Sequence, residues 1–249
     1  MIEFLKEVYY VSWADLRFIR HNFLTILVTS LVSPLLYLIT FGYGLGRGIS
    51  SGDVSYVAFV IPGIVALSSL SSSFSSTSTR INVQRLYYKS FDEMMMCPLR
   101  PSAIILGKSM MGVIRGLLSC SIIFTMGLLI APELMLTPLF IVCLLISCFS
   151  SSFLGVLAAL LAKSHQNLAT FNSLVILPMT FLCGTFFSVS SVPTIFQYAL
   201  YLFPLTHSSL CIRASALGWE FPWTSLLVLI AFGIVFYAID VYLLKTRKV

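Results

Sequence analysis

The stretch "PLFIVCLLISCFSSSFLGVLAALLA", residues 138–162, runs for 25 residues without a charged side chain. As a helix it would be about 37 Å long, enough to cross the roughly 30 Å hydrocarbon core of a bilayer. Other long apolar runs recur along the 249-residue chain, which is 58% hydrophobic and only 10% charged. Soluble domains carry more charge than this, and continuous runs are unlike the alternating pattern of membrane β-barrels. The sequence therefore predicts an all-α integral membrane protein, with residues 1–249 as a single transmembrane domain.

The apolar runs predict six transmembrane helices, near residues 23–45, 54–78, 108–130, 138–162, 168–187 and 223–244. Twelve of the 15 Lys and Arg residues then lie on the side of the N-terminus, against Arg47 and Arg213 on the other side and Arg115 within a span. Because basic loops stay in the cytosol, both termini are predicted to be cytosolic. The net charge of +6 is interpreted as topology-setting charge rather than as a nucleic-acid surface. No small-residue cleavage site follows the first run, so we expect no removable signal peptide.

Two segments flank the spans without crossing the membrane. In residues 1–22, Leu5, Tyr9 and Trp13 share one helical face, which predicts an amphipathic helix lying in the cytosolic interface. Packing on another cytosolic subunit is the alternative. Residues 188–207 are apolar but contain Pro193 and Pro204, and we expect a re-entrant helical segment on the outer side.

The segment "SAIILGKS", residues 102–109, ends like a phosphate-binding loop but lacks its first glycine and its preceding strand. We therefore expect no ATP site in this chain, and Lys108 is interpreted as an interfacial anchor. The cysteines lack zinc-site spacing, and no nucleophile–base set is evident, so neither a metal nor an enzymatic activity is expected. Only Cys183 and Cys211 can both reach an oxidising side, and a disulfide between them is left open.

The predicted cytosolic loop, residues 79–107, is the longest polar segment between spans. It combines basic residues with Asp92, Glu93 and three consecutive methionines before Pro98. A short amphipathic helix that offers methionines is a good adaptable docking surface. A solvated loop is the alternative interpretation.

Three stretches resemble one protein family: "YVAFVIPGIVALSSL" (56–70), "SFDEMMMCPLRPSAIILGKSMMGVIRGLL" (90–118) and "LPMTFLCGTFFSVSSVPTIFQYALYLFPLTHSSLCIRASALG" (177–218). They are similar to the membrane permease subunit of type-2 ATP-binding-cassette exporters, a group that exports drugs, nodulation factors and surface polysaccharides. The resemblance implies a prokaryotic inner-membrane protein in which two permease chains form the pathway, as a homodimer or as a heterodimer. It also implies two copies of a separate cytosolic ATPase, which hold the ATP and Mg, and no cofactor in this chain.

In that family the loop between the second and third spans supplies a coupling helix seated in a cleft of the ATPase. The resemblance therefore implies that the loop's central residues contact the motor. The triple methionine departs from many relatives, which carry small apolar residues before the proline. The implied coupling residues are Phe91, Asp92, Glu93, Met94, Met95, Met96, Pro98, Leu99 and Arg100.

Charged and hydroxyl side chains inside the spans are the remaining candidates for function. Arg115 and Asp240 are predicted to form an intramembrane ion pair near the cytosolic face, with separate snorkelling as the alternative. A hydroxyl-rich stretch in the second span predicts either a lined substrate path or tight helix packing. Its candidate lining residues are Ser68, Ser69, Ser72, Ser75 and Ser76.

Small residues at four-residue spacing predict helix crossings at two places. One is formed by Gly112 and Gly116, and the other by the glycines at 42, 44, 46 and 48. The outer charges Glu133, Arg213 and Glu220 are interpreted as solvated loop charge, with an exit-gate role as the alternative.

These features favour an exporter permease for an amphipathic or lipid-linked substrate. A secondary transporter is the first rival, although ion coupling requires charged groups near mid-membrane and this chain has few. A non-transporting scaffold or assembly subunit is the second rival, which the coupling-type loop argues against.

Overall fold

The computed structural model describes residues 2–37, 39–40, 50–51, 54–185 and 193–247. Within them all regular secondary structure is helical except for one minimal hairpin, in which Ser50–Ser51 pairs with Val54–Ser55. The helices are α1 (Ile2–His21), α2 (Phe23–Tyr37), α3 (Tyr56–Leu86), α4 (Ser90–Met96), α5 (Pro101–Ile130), α6 (Pro138–Leu161), α7 (His165–Phe171), α8 (Leu177–Leu182), α9 (Thr194–Tyr201), α10 (Pro204–Leu217) and α11 (Trp223–Arg247). A π-helical turn, Asn172–Ile176, joins α7 to α8. The predicted all-α fold is confirmed.

Four described helices, α3, α5, α6 and α11, are long and apolar enough to cross a membrane. The number rises to five if α1 and α2, which meet at a bend of 81°, are counted as one broken span. The predicted span 168–187 is built from α7, the π turn and α8, and residues 186–187 lie outside the described part. The predicted span 23–45 is described only as α2 and residues 39–40. The count of six and the cytosolic termini therefore stay predictions.

The boundaries around the predicted loop 79–107 were wrong. Helix α3 continues to Leu86 and α5 begins at Pro101, so only residues 87–100 lie between the two long helices. No glycine or proline interrupts residues 78–86, and polar side chains there find partners within the protein. Pro101 occupies the first turn of α5, where its missing N–H costs nothing.

Helix α3 is the centre of the bundle, with α5, α6 and α10 packed around it. The crossing with α5 is close because Gly112 and Gly116 face it. A Cβ at residue 112 would collide with Thr77 and Ser152, and one at residue 116 with Ser73. The predicted crossing at these glycines is confirmed, while the glycines at 42–48 lie outside the described residues.

Gly112→Ala is expected to destabilise the folded chain by about 2 kcal/mol or more, because overpacking a tight helix crossing forces backbone shifts. Gly233→Ala in α11 is the matched control, since its Cβ would approach no atom closer than 3.7 Å. That change is expected to stay within about 1 kcal/mol of the parent. Thermal unfolding in a neutral detergent measures both, and equal midpoints for the two variants would refute the close crossing.

Helices α9 and α10, joined at Leu202–Phe203, form the helical pair expected in the region of residues 188–207, of which 188–192 lie outside the described part. At 8 and 14 residues, neither is long enough to span a bilayer. Helix α10 is buried on nearly all sides. A hydroxyl chain ties it to the core, since Ser147 contacts both Ser69 at 2.7 Å and Ser208.

Arg213, on α10, is 3% exposed, so its interpretation as a solvated outer charge was wrong. Its guanidinium donates to the carbonyl oxygens of Phe59, Gly184 and Thr185 at 3.0–3.1 Å. It also lies 3.8 Å from the ring centroid of Phe59. A single buried cation thus fastens α10 to α3 and to the turn that follows α8, and desolvation makes such bonds costly to break.

Candidate functional site

The candidate site lies at the end of the bundle that carries α4, here called the α4 end. The chain leaves α3 through Tyr87 and Tyr88 and turns at Lys89, whose φ of 56° is in the left-handed region. Helix α4 follows for seven residues and ends at Cys97, directly before Pro98. Pro98 and Pro101 cannot continue a helix interior, so α4 is a separate short helix set between two long ones. The predicted short amphipathic helix is therefore present.

The two faces of α4 differ sharply in burial. Phe91 is 2% exposed and packs in an apolar cluster with Ile104, Phe153 and Leu244, from α5, α6 and α11. Met94, Met95 and Leu99 lie partly buried against the same cluster. The other predicted coupling residues point outward, and the side chain of Met96 is 88% exposed. The exposed set, called the α4 surface, is Tyr87, Tyr88, Lys89, Asp92, Glu93, Met96, Cys97, Pro98 and Arg100.

A buried charge cluster lies beneath this surface, centred on Asp15 of α1. Its carboxylate accepts from Lys108 Nζ at 2.8 Å, Arg80 Nε at 2.9 Å and Gln84 Nε2 at 3.1 Å. Asp15 is 1% exposed and Lys108 is 5% exposed. Because buried charges must be paired, these contacts fix α1 against α3 and α5. We call Asp15, Arg80, Gln84 and Lys108 the Asp15 cluster.

The sequence suggested that Lys108 is an interfacial anchor. The structure shows instead that it is buried and paired with Asp15. The Gly-Lys-Ser tripeptide lies inside α5, and the lysine is committed to Asp15. A helix interior has no free backbone N–H groups to cradle a phosphate. The geometry agrees with the expectation that these residues form no phosphate-binding loop.

Two further contacts connect the α4 end to its neighbours. Glu7 of α1 accepts from the backbone N–H of Arg100 at 3.3 Å and lies 3.7 Å from its guanidinium. Arg85 donates to three carbonyl oxygens at the C-terminal end of α6, those of Ala159, Leu160 and Ala162. A cation is stabilising at a helix C-terminus, where unpaired carbonyls and the negative end of the dipole lie. These contacts fix the two segments that flank α4, the end of α3 to α6 and Arg100 to α1.

The apolar face predicted for α1 is exposed, as Leu5, Tyr9 and Trp13 show. The face that packs on the bundle is a different one, formed by Val11, Asp15 and Ile19 at helical spacing. The exposed aromatic face remains available to a membrane interface. The interfacial position of α1 stays a prediction.

The predicted lining serines divide into two groups. Ser68 and Ser69 are fully buried and bond to Ile64 O and to Ser147 Oγ, so they serve packing. Ser72, Ser75 and Ser76 instead line an open groove of about 600 Å³ between α2, α3 and α5. Packing therefore accounts for Ser68 and Ser69, whereas a substrate path along Ser72, Ser75 and Ser76 stays a prediction.

The predicted Arg115–Asp240 ion pair is not formed, and that hypothesis was wrong for the described chain. Arg115 reaches toward α2 and donates to Ser30 Oγ at 3.4 Å. Asp240 is fully buried, and neither of its carboxylate oxygens has a hydrogen-bond partner among the described residues. The reason is the helix order, since α11 packs chiefly on α6 and α10 while Arg115 faces the groove beside α2.

Asp15 is the functional candidate that the sequence reasoning missed. A signal was present, because an acid at the centre of the 11–15–19 stripe of α1 is out of place unless it is paired.

Cys183 and Cys211, left open as a disulfide, are both buried free thiols.

Apolar helices of spanning length, joined at one end by a buried ion cluster and a docked short helix, indicate a multi-pass membrane protein. The chain belongs to the ABC-2 type transporter family, whose model matches residues 6–217. It is a transmembrane permease of that family, located in a cell membrane.

Named relatives fit this assignment. The chain is 28% identical over 229 residues to the inner membrane transport permease YadH of Escherichia coli K12, covering 88% of each chain. It is 31% identical over 221 residues to nodulation protein J of Rhizobium leguminosarum bv. trifolii, covering 84% of this chain and 78% of the relative. Nodulation protein J of Neorhizobium galegae is 29% identical over 208 residues, which is 79% of this chain and 76% of that protein.

Proposed function

We propose that this chain is the permease subunit of an ATP-driven exporter and that α4 couples it to a separate cytosolic ATPase. The proposal rests on the burial of α4, which has one face packed in the bundle and the other face exposed. Its buried Phe91 is set among α5, α6 and α11, while Asp92, Glu93 and Met96 face outward. A force applied to the outer face therefore reaches the long helices through a packed contact.

The α4 surface suits a protein partner. It combines two tyrosines, a methionine and a mixed set of charges on one short segment. Tyrosine and methionine are enriched at protein interfaces, and methionine adapts its shape to the opposing surface. ATP and Mg are then held by the partner, in two copies, one beneath each permease chain. The α4 end is the cytosolic end in this arrangement, as the distribution of basic residues predicts.

The cargo we propose is an amphipathic or lipid-linked molecule. A second permease chain, most simply another copy of this one, completes the pathway. The name of one relative, an inner membrane transport permease, supports an inner-membrane location and a role in transport. The groove beside α3, with hydroxyls on one wall and the exposed apolar face of α2 nearby, fits a molecule with a polar head and an apolar tail.

Affinity purification of the tagged chain from its native membrane tests the proposal. We expect a cassette ATPase to co-purify and the complex to hydrolyse ATP. Mass spectrometry of the preparation distinguishes a homodimer from a heterodimer with a related permease. If other membrane complexes survive the same extraction and no ATPase is recovered, the exporter is refuted in favour of a non-transporting scaffold.

A further inference from the structure

The groove between α2, α3 and α5 is polar on one wall and lies beside apolar helix surface. Five hydroxyl groups of α3 project along it, with Thr29 and Ser30 of α2 opposite. The outward face of α2 beyond them is apolar, since Val28, Val32 and Leu36 are about half exposed or more. The α3 hydroxyls are those of Ser71, Ser72, Ser75, Ser76 and Thr79.

Two arginines reach this groove, and only one of them has a carboxylate partner among the described residues. Arg80 is paired with Asp15 at 2.9 Å. Arg115 has no carboxylate partner among the described residues, and its Nε is buried without a hydrogen bond. None of the side chains lining the groove in the described structure is acidic. Among the described residues the groove therefore carries at least one uncompensated positive charge, that of Arg115.

The position of Arg115 makes this charge costly. It lies seven residues beyond the buried Lys108 along α5, about 10 Å further from the α4 end. An unpaired cation at such depth is unfavourable unless an anion or water compensates it. A planar guanidinium with free donors matches the oxygens of phosphate, sulfate or carboxylate groups.

We propose that this groove binds the anionic headgroup of an amphiphile, with Arg115 as the charge partner and the hydroxyls of Ser71, Ser72, Ser75 and Thr79 as hydrogen-bond donors. The alkyl chain lies along the apolar outer face of α2. The identification of this amphiphile with the exported substrate rests on the proposed function, whereas the binding site itself does not. A resident bilayer lipid has the same chemistry, and the test separates the two sources.

Binding is tested with three probes that share one alkyl chain and differ only in headgroup: dodecyl phosphate, dodecyl maltoside and dodecyltrimethylammonium. The full chain is purified in a neutral polyoxyethylene detergent. Bound adducts are counted by native mass spectrometry, with the thermal unfolding midpoint as the second readout. Inorganic phosphate alone is the fourth probe. We expect dodecyl phosphate to bind and to raise the midpoint, and the other three to do neither.

Four variants assign the binding to Arg115. Arg115→Gln is expected to weaken dodecyl phosphate binding about tenfold or more, because a charge-assisted hydrogen bond is lost, and Arg115→Lys is expected to retain part of it. Ser75→Leu blocks the groove without touching the arginine and is expected to reduce binding similarly. Arg17→Gln removes the same charge from the exposed face of α1 and is expected to change nothing.

Several results would overturn the proposal. Equal binding of dodecyl phosphate by the Arg115→Gln variant and the parent excludes the arginine as its partner. Equal binding of the neutral or cationic probe excludes headgroup recognition, and equally tight binding of inorganic phosphate excludes an amphiphile. A change in oligomeric state without a change in probe binding would assign Arg115 to a contact between subunits.

A final comparison separates substrate from resident lipid. If extracted endogenous phospholipid displaces dodecyl phosphate and remains bound during ATP hydrolysis by the assembled complex, the occupant is structural lipid, and the exported substrate is not the ligand of this groove. If the anionic amphiphile is released in an ATP-dependent manner, it is cargo. Because the binding assay needs no ATPase, failure to recover an ATPase refutes the proposed function and leaves this site standing.

Discussion

Replacement of Asp15 by alanine is expected to destabilise the chain by about 3–5 kcal/mol, because it leaves a buried cation without its partner. The group left unpaired is Lys108, since it is 5% exposed and its ammonium lies 2.8 Å from the carboxylate that is removed. Arg80 is partly exposed and can turn toward solvent. The measurements are the thermal unfolding midpoint and the fraction of the chain recovered in monodisperse form.

Two further variants identify the mechanism of that loss. Asp15→Leu combined with Lys108→Met removes both charges and is expected to recover most of the stability, since well-packed apolar pairs often replace buried ion pairs without loss. Glu7→Gln breaks the exposed pair with Arg100 and is expected to cost no more than about 1 kcal/mol. If the single Asp15→Ala change were as mild as Glu7→Gln, the Asp15 cluster would not hold α1 in place.

Phe91→Ala is expected to uncouple α4 from the long helices while leaving those helices folded. Truncating a buried aromatic typically costs about 3–5 kcal/mol, and a seven-residue helix is too short to stay ordered without tertiary packing. The loss therefore falls mainly on α4. The rate of ATP hydrolysis by the purified complex, at matched ATPase content, is expected to fall about tenfold or more.

Phe91→Leu keeps an apolar side chain in the same pocket and is the matched control, for which near-parental hydrolysis is expected. Met96→Ala changes the exposed face alone, so it is expected to weaken partner binding without lowering the unfolding midpoint. Parental hydrolysis by the Phe91→Ala complex would mean that the buried face of α4 transmits nothing.

The long apolar elements of this fold follow from the sequence because lipid imposes a simple requirement on length and composition. The run at 138–162 became α6, Pro138–Leu161, with almost no change of boundary. The ends of the helices outside the bilayer are not constrained in this way, and the helix boundaries predicted there were wrong. The apolar run ends near residue 78, yet α3 continues for two further turns to Leu86 because Arg80, Gln84 and Arg85 find partners on other helices.

The candidate site was likewise predictable only in part. The α4 segment has a local signature, with an acidic pair, methionines and a proline stop, and its helix and its buried phenylalanine are in the structure. The position of Asp15 in the buried stripe of α1 signals only that it needs a partner, and the partners of Asp15 and Arg213 lie 28–154 residues away in the chain. The Arg115–Asp240 pairing failed for the same reason, because depth in the membrane does not determine which side of a helix a residue occupies.

The most direct test of the coupling account is site-specific photocrosslinking from Met96, whose side chain is 88% exposed on the α4 surface. A photoreactive amino acid replaces Met96 in the native membrane, and Met135, which is 61% exposed in the loop that follows α5 at its opposite end, is the control position. The account predicts a crosslink to a cassette ATPase from position 96 and none from position 135. Absence of that adduct at position 96, in membranes where the ATPase is present, would contradict it.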